Sequence, residues 1–162
     1  MPPQKPGRSR QDYGTPPEFL DAVRRLLLID DFVFDLAADP TNAIVSAYYT
    51  ATDNALVMPW TFDGWCWLNP PFGRLKPWAE KAWLEAQNGA KIAMLVPAAV
   101  GANWFRDWVW TKASVRFLNG RLTFVGEKHP YIKDLMLLCY DETASTKPIG
   151  IWSWQTWLDE QR

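Results

Sequence analysis

One short run of residues carries groups that could act on a reacting nitrogen: Asn69-Pro70-Pro71-Phe72. An amine on an aromatic ring is a poor nucleophile, because its lone pair is delocalised into the ring. Two acceptors placed on its N–H bonds draw the nitrogen toward tetrahedral geometry and stabilise the positive charge that develops as it attacks. The side-chain oxygen of Asn69 and the backbone carbonyl of Pro70 are two such acceptors. Proline fixes φ, so both can be held without reorganisation. Phe72 adds a flat apolar face on which a ring can stack. The same residue types also make an ordinary tight turn, and on the tetrapeptide alone the two readings stand level.

The elements around the motif decide where it sits. Residues 65–68 are an apolar run that reads as a buried strand, and the two prolines end it. Pro77 then opens a helix to about Asn88, closed by Gly89. Residues 32–36 read as an earlier buried strand running into Ala37-Ala38-Asp39-Pro40. Residues 91–96 read as a later one ending at Pro97. Thr15, Pro16, Pro17 and Glu18 read as a helix cap, an opening proline and a capping-box acid. Phe19, Val23, Leu26 and Leu27 then fall on one helical face. Asn103 is expected to cap a helix with Trp104, Phe105 and Trp108. Residues 47–50, 115–118, 122–125 and 135–140 read as strands, and 149–157 is apolar but of uncertain type. Alternating strands and helices argue for an α/β fold with a mostly parallel sheet. The closing run of strands predicts an antiparallel hairpin at one edge. In such sheets ligands bind beyond the carboxyl ends of the strands, which is where Asn69 falls.

Composition narrows the class. The 162 residues argue for one domain, 13–162, preceded by a flexible basic tail, 1–12, with Lys5, Arg8 and Arg10. With 48% hydrophobic and 22% charged residues the chain is globular rather than disordered. No apolar run approaches a membrane span, and the N-terminus has no hydrophobic signal core, so a cytoplasmic location is expected. Cys66 and Cys139 are too few and too far apart for a zinc knuckle or a disulfide framework, so both are expected in the core and no metal is expected. The net charge of -1 is not that of a strongly basic nucleic-acid binder, although local patches matter more than the sum. Most of the 11 tryptophans should fill core volume.

From Tyr13 to Tyr140 the chain resembles the phage-type DNA N-6-adenine methyltransferases, the Dam family. The likeness runs through Tyr13-Gly14-Thr15-Pro16, Phe34-Asp35-Leu36-Ala37-Ala38 with Asn42, and residues 49–56 with Trp60. It continues through Asn69-Pro70-Pro71-Phe72-Gly73, residues 94–98 with Trp104-Phe105, and Gly120-Arg121-Leu122-Thr123-Phe124. The resemblance implies a Rossmann-like class I methyltransferase fold with helices on both faces and S-adenosylmethionine as methyl donor. It implies that Thr15 and Pro16 lie near the methionine end of the cofactor, with Tyr13 also among the cofactor-binding residues. Asp35, Ala37 and Ala38 would form the loop after the first strand, and Asp53 would bond the cofactor's adenine amine. Asn69, Pro70, Pro71 and Phe72 would be the catalytic set. Three features depart from the usual pattern. The first loop lacks glycines, the 39–50 stretch leaves no clear acid for the ribose beyond Asp39, and Phe72 stands where Tyr is common.

The expected partner is DNA, with the target adenine flipped out at a cost of about a few kcal/mol. Arg74 and Lys76, directly after the motif, are the expected phosphate contacts, with Arg106, Lys112, Arg116, Arg121, Lys128 and Lys133 scattered further off. His129 is expected to have no catalytic role. Two other readings remain open. One is methylation of another planar amine or amide, in RNA or on protein glutamine. The other is a DNA-binding relic without catalysis.

Overall fold

Pro16 and Pro17 do open the first helix, but not under the predicted cap. In the computed structural model, which describes residues 13–142 and 147–156, helix α1 spans Pro17–Leu27, and Pro16 occupies the cap position without a side-chain cap bond. Thr15 is buried and its hydroxyl is engaged elsewhere. The expected basic tail, 1–12, lies outside the described residues.

Strand β1 is only Phe34–Asp35, and β2 is Trp65–Leu68, as read from the sequence. Helix α2 covers Lys76–Gln87 with proline in its first turn, and Gly89 comes after it at φ +97°, a left-handed conformation that glycine adopts without strain. Strand β3 is Lys91–Pro97, helix α3 Asn103–Trp108, and strands β4, β5 and β6 are Ser114–Asn119, Leu135–Tyr140 and Ile149–Ser153. Asn103 is the first residue of α3 rather than its cap, which is Ala102. Among the described residues, segment 47–50 contributes a single bridge, Tyr48 to Asp35, and no strand.

The six strands form one sheet in the order β1-β2-β3-β5-β4-β6. Pairs β1–β2, β2–β3 and β4–β6 are parallel, whereas β5 runs antiparallel to both neighbours. The expected antiparallel hairpin at an edge is therefore corrected: β5 is an interior strand wedged between β3 and β4. The reason is burial. All six residues of β5 are buried, which requires cover on both faces and suits an interior position. Strand β6 alternates between exposed and half-buried residues, as an edge strand does. The expected strand 122–125 is also corrected. Leu122 and Phe124 are buried with period-2 alternation, but among the described residues the segment joins no strand and makes one bridge, Val125 to Gly14.

The pleat sends alternate side chains to opposite faces, and each face has its own core. Ile92, Met94 and Val96 pack with Trp78, Ala79 and Ala82 of α2 and Phe105 of α3. Ala93, Leu95 and Leu137 pack with Phe19, Leu20 and Val23 of α1. Helices thus cover both faces, as expected. Burying a side chain such as Leu95 stabilises the fold by about 1.5–3 kcal/mol, so the central strands rigidly support the loops that leave their ends. Trp60, Trp67, Trp78 and Trp154 are buried. So are Cys66 and Cys139, both free thiols pushed up to about 12 by burial. Among the described residues, no helix is long and apolar enough to cross a membrane.

Candidate active site

Parallel pairing of β1, β2 and β3 brings their carboxyl ends to one edge of the sheet. Leu68 closes β2, and Asn69 comes next in a buried position, 5% exposed. Its amide is held from one side. Nδ2 donates to the Tyr13 carbonyl and to the Thr15 hydroxyl, each at 3.3 Å. Its Oδ1 is buried and has no hydrogen-bond partner among the described residues. Leaving a buried acceptor unsatisfied costs about 1–3 kcal/mol. Such an atom at the end of a rigid strand is therefore suited to a donor that arrives with a ligand.

Pro70 is buried, and Pro71 and Phe72 are half-buried. The Phe72 ring stands edge-on to Tyr131, with centroids 5.7 Å apart. Tyr131 is also edge-on to Phe124 at 5.7 Å, and Phe124 stacks on Tyr13 at 4.9 Å. An aromatic group of Tyr13, Phe72, Phe124 and Tyr131 thus surrounds the motif. Phe124 and Tyr131 carry no site role in the sequence reading. The signal that could have found Phe124 is the strand-like alternation of 121–125 without a strand's neighbours. Nothing local marks Tyr131.

The loop after β1 is tied to β2 where the Leu36 N–H donates to the Trp67 carbonyl, 2.9 Å. Ala37 and Ala38 are buried. Asp35 is buried as well. One of its carboxylate oxygens accepts the Ala37 N–H at 3.3 Å and the other the Ile44 N–H at 3.2 Å. Burial pushes Asp35 up to about 6, against the two backbone donors that pull it down, and the charge of Asp39 adds to the rise. Asp39 closes a local turn, accepting from the Thr41 and Asn42 N–H groups and from the Thr41 hydroxyl. Asp53 belongs to the adjoining turn. The Ala38 N–H donates to the Tyr49 carbonyl at 2.9 Å, and Asp53 Oδ2 accepts from the Thr50 N–H and hydroxyl at 2.7 and 3.0 Å. Asp53 is exposed, and its Oδ1 has no hydrogen bond among the described residues.

The structure thus joins Asn69 directly to Tyr13 and Thr15, and joins the Asp35 loop to the Asp53 turn. Pro16, next after Thr15, is the cap of α1. Arg74 and Lys76 are exposed beside the motif, with no ion pair among the described residues. Of the more distant cations, Arg106 is paired with Asp107 at 2.7 Å and Arg121 with Asp134 at 3.6 Å. No group of three or more His, Cys, Asp or Glu side chains that could hold a metal ion occurs among the described residues.

A family model described as DNA N-6-adenine-methyltransferase (Dam) matches residues 4–134. The chain belongs to the Dam family. The match spans every candidate residue above, from Tyr13 through the motif to Phe124 and Tyr131. Membership in a methyltransferase family implies a methyl donor. Among curated relatives, a "DNA N-6-adenine-methyltransferase" of Escherichia phage T1 is 29% identical over 89 residues, covering 55% of this chain and 37% of that protein. The "Putative methyltransferase YfdM" of Escherichia coli (strain K12) is 43% identical over 56 residues, covering 32% of this chain and 57% of that protein. The chain spans less than two thirds of the length of either relative.

Proposed function

We propose that this Dam-family chain is an S-adenosylmethionine-dependent methyltransferase that transfers a methyl group to the N6 amine of adenine in DNA. The observation that carries the reading is the buried Asn69 Oδ1 at the end of β2, which has no hydrogen-bond partner among the described residues. It is an acceptor held in place in advance, which is what an aromatic amine needs in order to become nucleophilic. In this reading Oδ1 and the Pro70 carbonyl accept the two N6 hydrogens, and Phe72 stacks on the extruded base. Pro71 holds the turn. The new N–C bond would form as the methyl–sulfur bond breaks to leave a neutral thioether, and the surplus proton on N6 would then leave to water, so no histidine base is required.

S-adenosylmethionine, when bound, supplies an electrophilic methyl on a sulfonium. The residues present fit that group. Asp35 is a buried carboxylate with no cation among its hydrogen-bond partners in the described residues, so a cationic ligand would relieve its burial. Asp53 Oδ1 is an accessible acceptor for an amine, and Ala37 and Ala38 keep the intervening loop small. The sheet order, five strands running one way with β5 reversed between β3 and β4, supports a Rossmann-like class I methyltransferase fold. Arg74 and Lys76 are the phosphate contacts of this proposal.

The test is to incubate the full chain with methyl-labelled cofactor and DNA, RNA or protein, then digest the products to nucleosides or amino acids. The expected result is label in N6-methyladenine from DNA. Label in RNA or in protein glutamine, or cofactor binding without any transfer, would overturn the reading.

A further inference from the structure

An asparagine amide can occupy its pocket in two ways, related by a half-turn that exchanges oxygen and nitrogen. In this site the two are not equivalent. With Nδ2 toward the N-terminal segment, its hydrogens meet the Tyr13 carbonyl and the Thr15 hydroxyl. The opposite form would set Oδ1 against the Tyr13 carbonyl oxygen, acceptor against acceptor. It would also leave the buried nitrogen without an acceptor where Oδ1 now has no partner among the described residues.

We propose that Tyr13-Gly14-Thr15 is the positioning element of the motif, and that Thr15 acts on the Asn69 amide rather than on the cofactor. This rests on the reading that Asn69 Oδ1 receives the substrate amine. Thr15 is itself buried, 7% exposed, with its hydroxyl directed to Asn69. The segment is clasped in turn by the loop between β4 and β5. The Val125 N–H donates to the Gly14 carbonyl at 3.0 Å, and Tyr13 stacks on Phe124. A Cβ at position 14 would meet the Val125 Cβ at 3.1 Å, a contact tight enough that Val125 would have to give by a few tenths of an ångström. Tyr131, from the same loop, abuts Phe72. One clasp therefore holds both the amide that accepts the amine hydrogens and the ring on which the base lies. It joins positions 54 residues apart in the chain at the Thr15–Asn69 bond.

The experiment compares Thr15→Val, which keeps the shape and removes the hydroxyl, with Thr15→Ser, which keeps the hydroxyl. Two quantities are read. The first is hydrogen exchange of the Asn69 side-chain amide in ¹⁵N-labelled protein, its signal assigned by loss in Asn69→Asp. The second is kcat and KM for DNA and for S-adenosylmethionine, with melting curves to establish that each variant folds. The expected result for Thr15→Val is faster amide exchange and a kcat lowered about 10- to 100-fold with both KM values nearly unchanged, the pattern of a misaligned reacting group. Thr15→Ser should restore both. The proposal is overturned by unchanged amide exchange in Thr15→Val, by weakened cofactor binding with kcat intact, or by Thr15→Ser failing as badly as Thr15→Val. If the wild-type chain transfers no methyl group to adenine, the proposed function fails instead. The amide exchange then decides the positioning role alone.

Discussion

Replacing Asn69 with alanine should separate stability from activity, because the structure gives this side chain opposing contributions. The change severs two hydrogen bonds from Nδ2, each worth about 1 kcal/mol net. It also removes a buried oxygen without a partner among the described residues, and burying such an oxygen costs about 1–3 kcal/mol. The terms nearly cancel, so stability should change by no more than about 1 kcal/mol, about 2–4 °C in Tm for a domain of this size. Transfer behaves differently. In the proposed role, losing one preorganised partner of the developing charge should lower kcat by about 10²- to 10³-fold. Cofactor binding should largely survive. The assay is a thermal melt paired with single-turnover methylation using labelled cofactor, and calorimetry for the cofactor itself. A fall in Tm beyond about 10 °C would mean that Oδ1 makes a stabilising contact. A kcat near wild type would remove Asn69 from the reaction.

Asp53→Ala should weaken cofactor binding about tenfold, the worth of one hydrogen bond to a charged group, with little change in kcat at saturating cofactor; calorimetry that finds equal affinity would take Asp53 out of the cofactor site. Asp35 predicts a pH effect of known sign. Its folded value of about 6 lies above the unfolded value near 4, so the folded chain holds the proton more tightly. The stability it contributes is full below about pH 4 and is lost as pH rises through about 6, by about 3 kcal/mol. Between pH 4 and 7 the urea midpoint of the wild type should therefore fall relative to that of Asp35→Asn, and a constant difference would refute the assignment. The double variant Arg74→Ala and Lys76→Ala should bind DNA more weakly, with a salt dependence shallower by about one unit per lost phosphate contact; an unaltered slope would place the contacts elsewhere.

Several features were legible in the chain because they depend on near neighbours. The apolar run 65–68, closed by two prolines, had to be a buried strand that stops, and Pro77 had to start α2, since backbone dihedral limits act within a few residues. The six consecutive apolar residues of β5 call for an interior strand, whereas the order of the closing strands points to an edge hairpin, because order alone does not say which neighbours they choose. Segment 122–125 shows the same limit. Its alternation reports burial of Leu122 and Phe124 but not the absence of a strand beside it.

What the sequence by itself determined is the make-up of the candidate site: an amide, two prolines and a ring at the end of a strand. What only tertiary structure decided is how that amide is turned. Thr15 looks locally like a helix cap, and its bond to Asn69 requires the N-terminal segment to lie against the end of β2, where the β4–β5 loop bonds Gly14 and stacks on Tyr13. Hydrogen bonds form between atoms that packing brings within about 3 Å, and nothing in the spacing of residues 15, 69, 124 and 131 along the chain encodes that meeting.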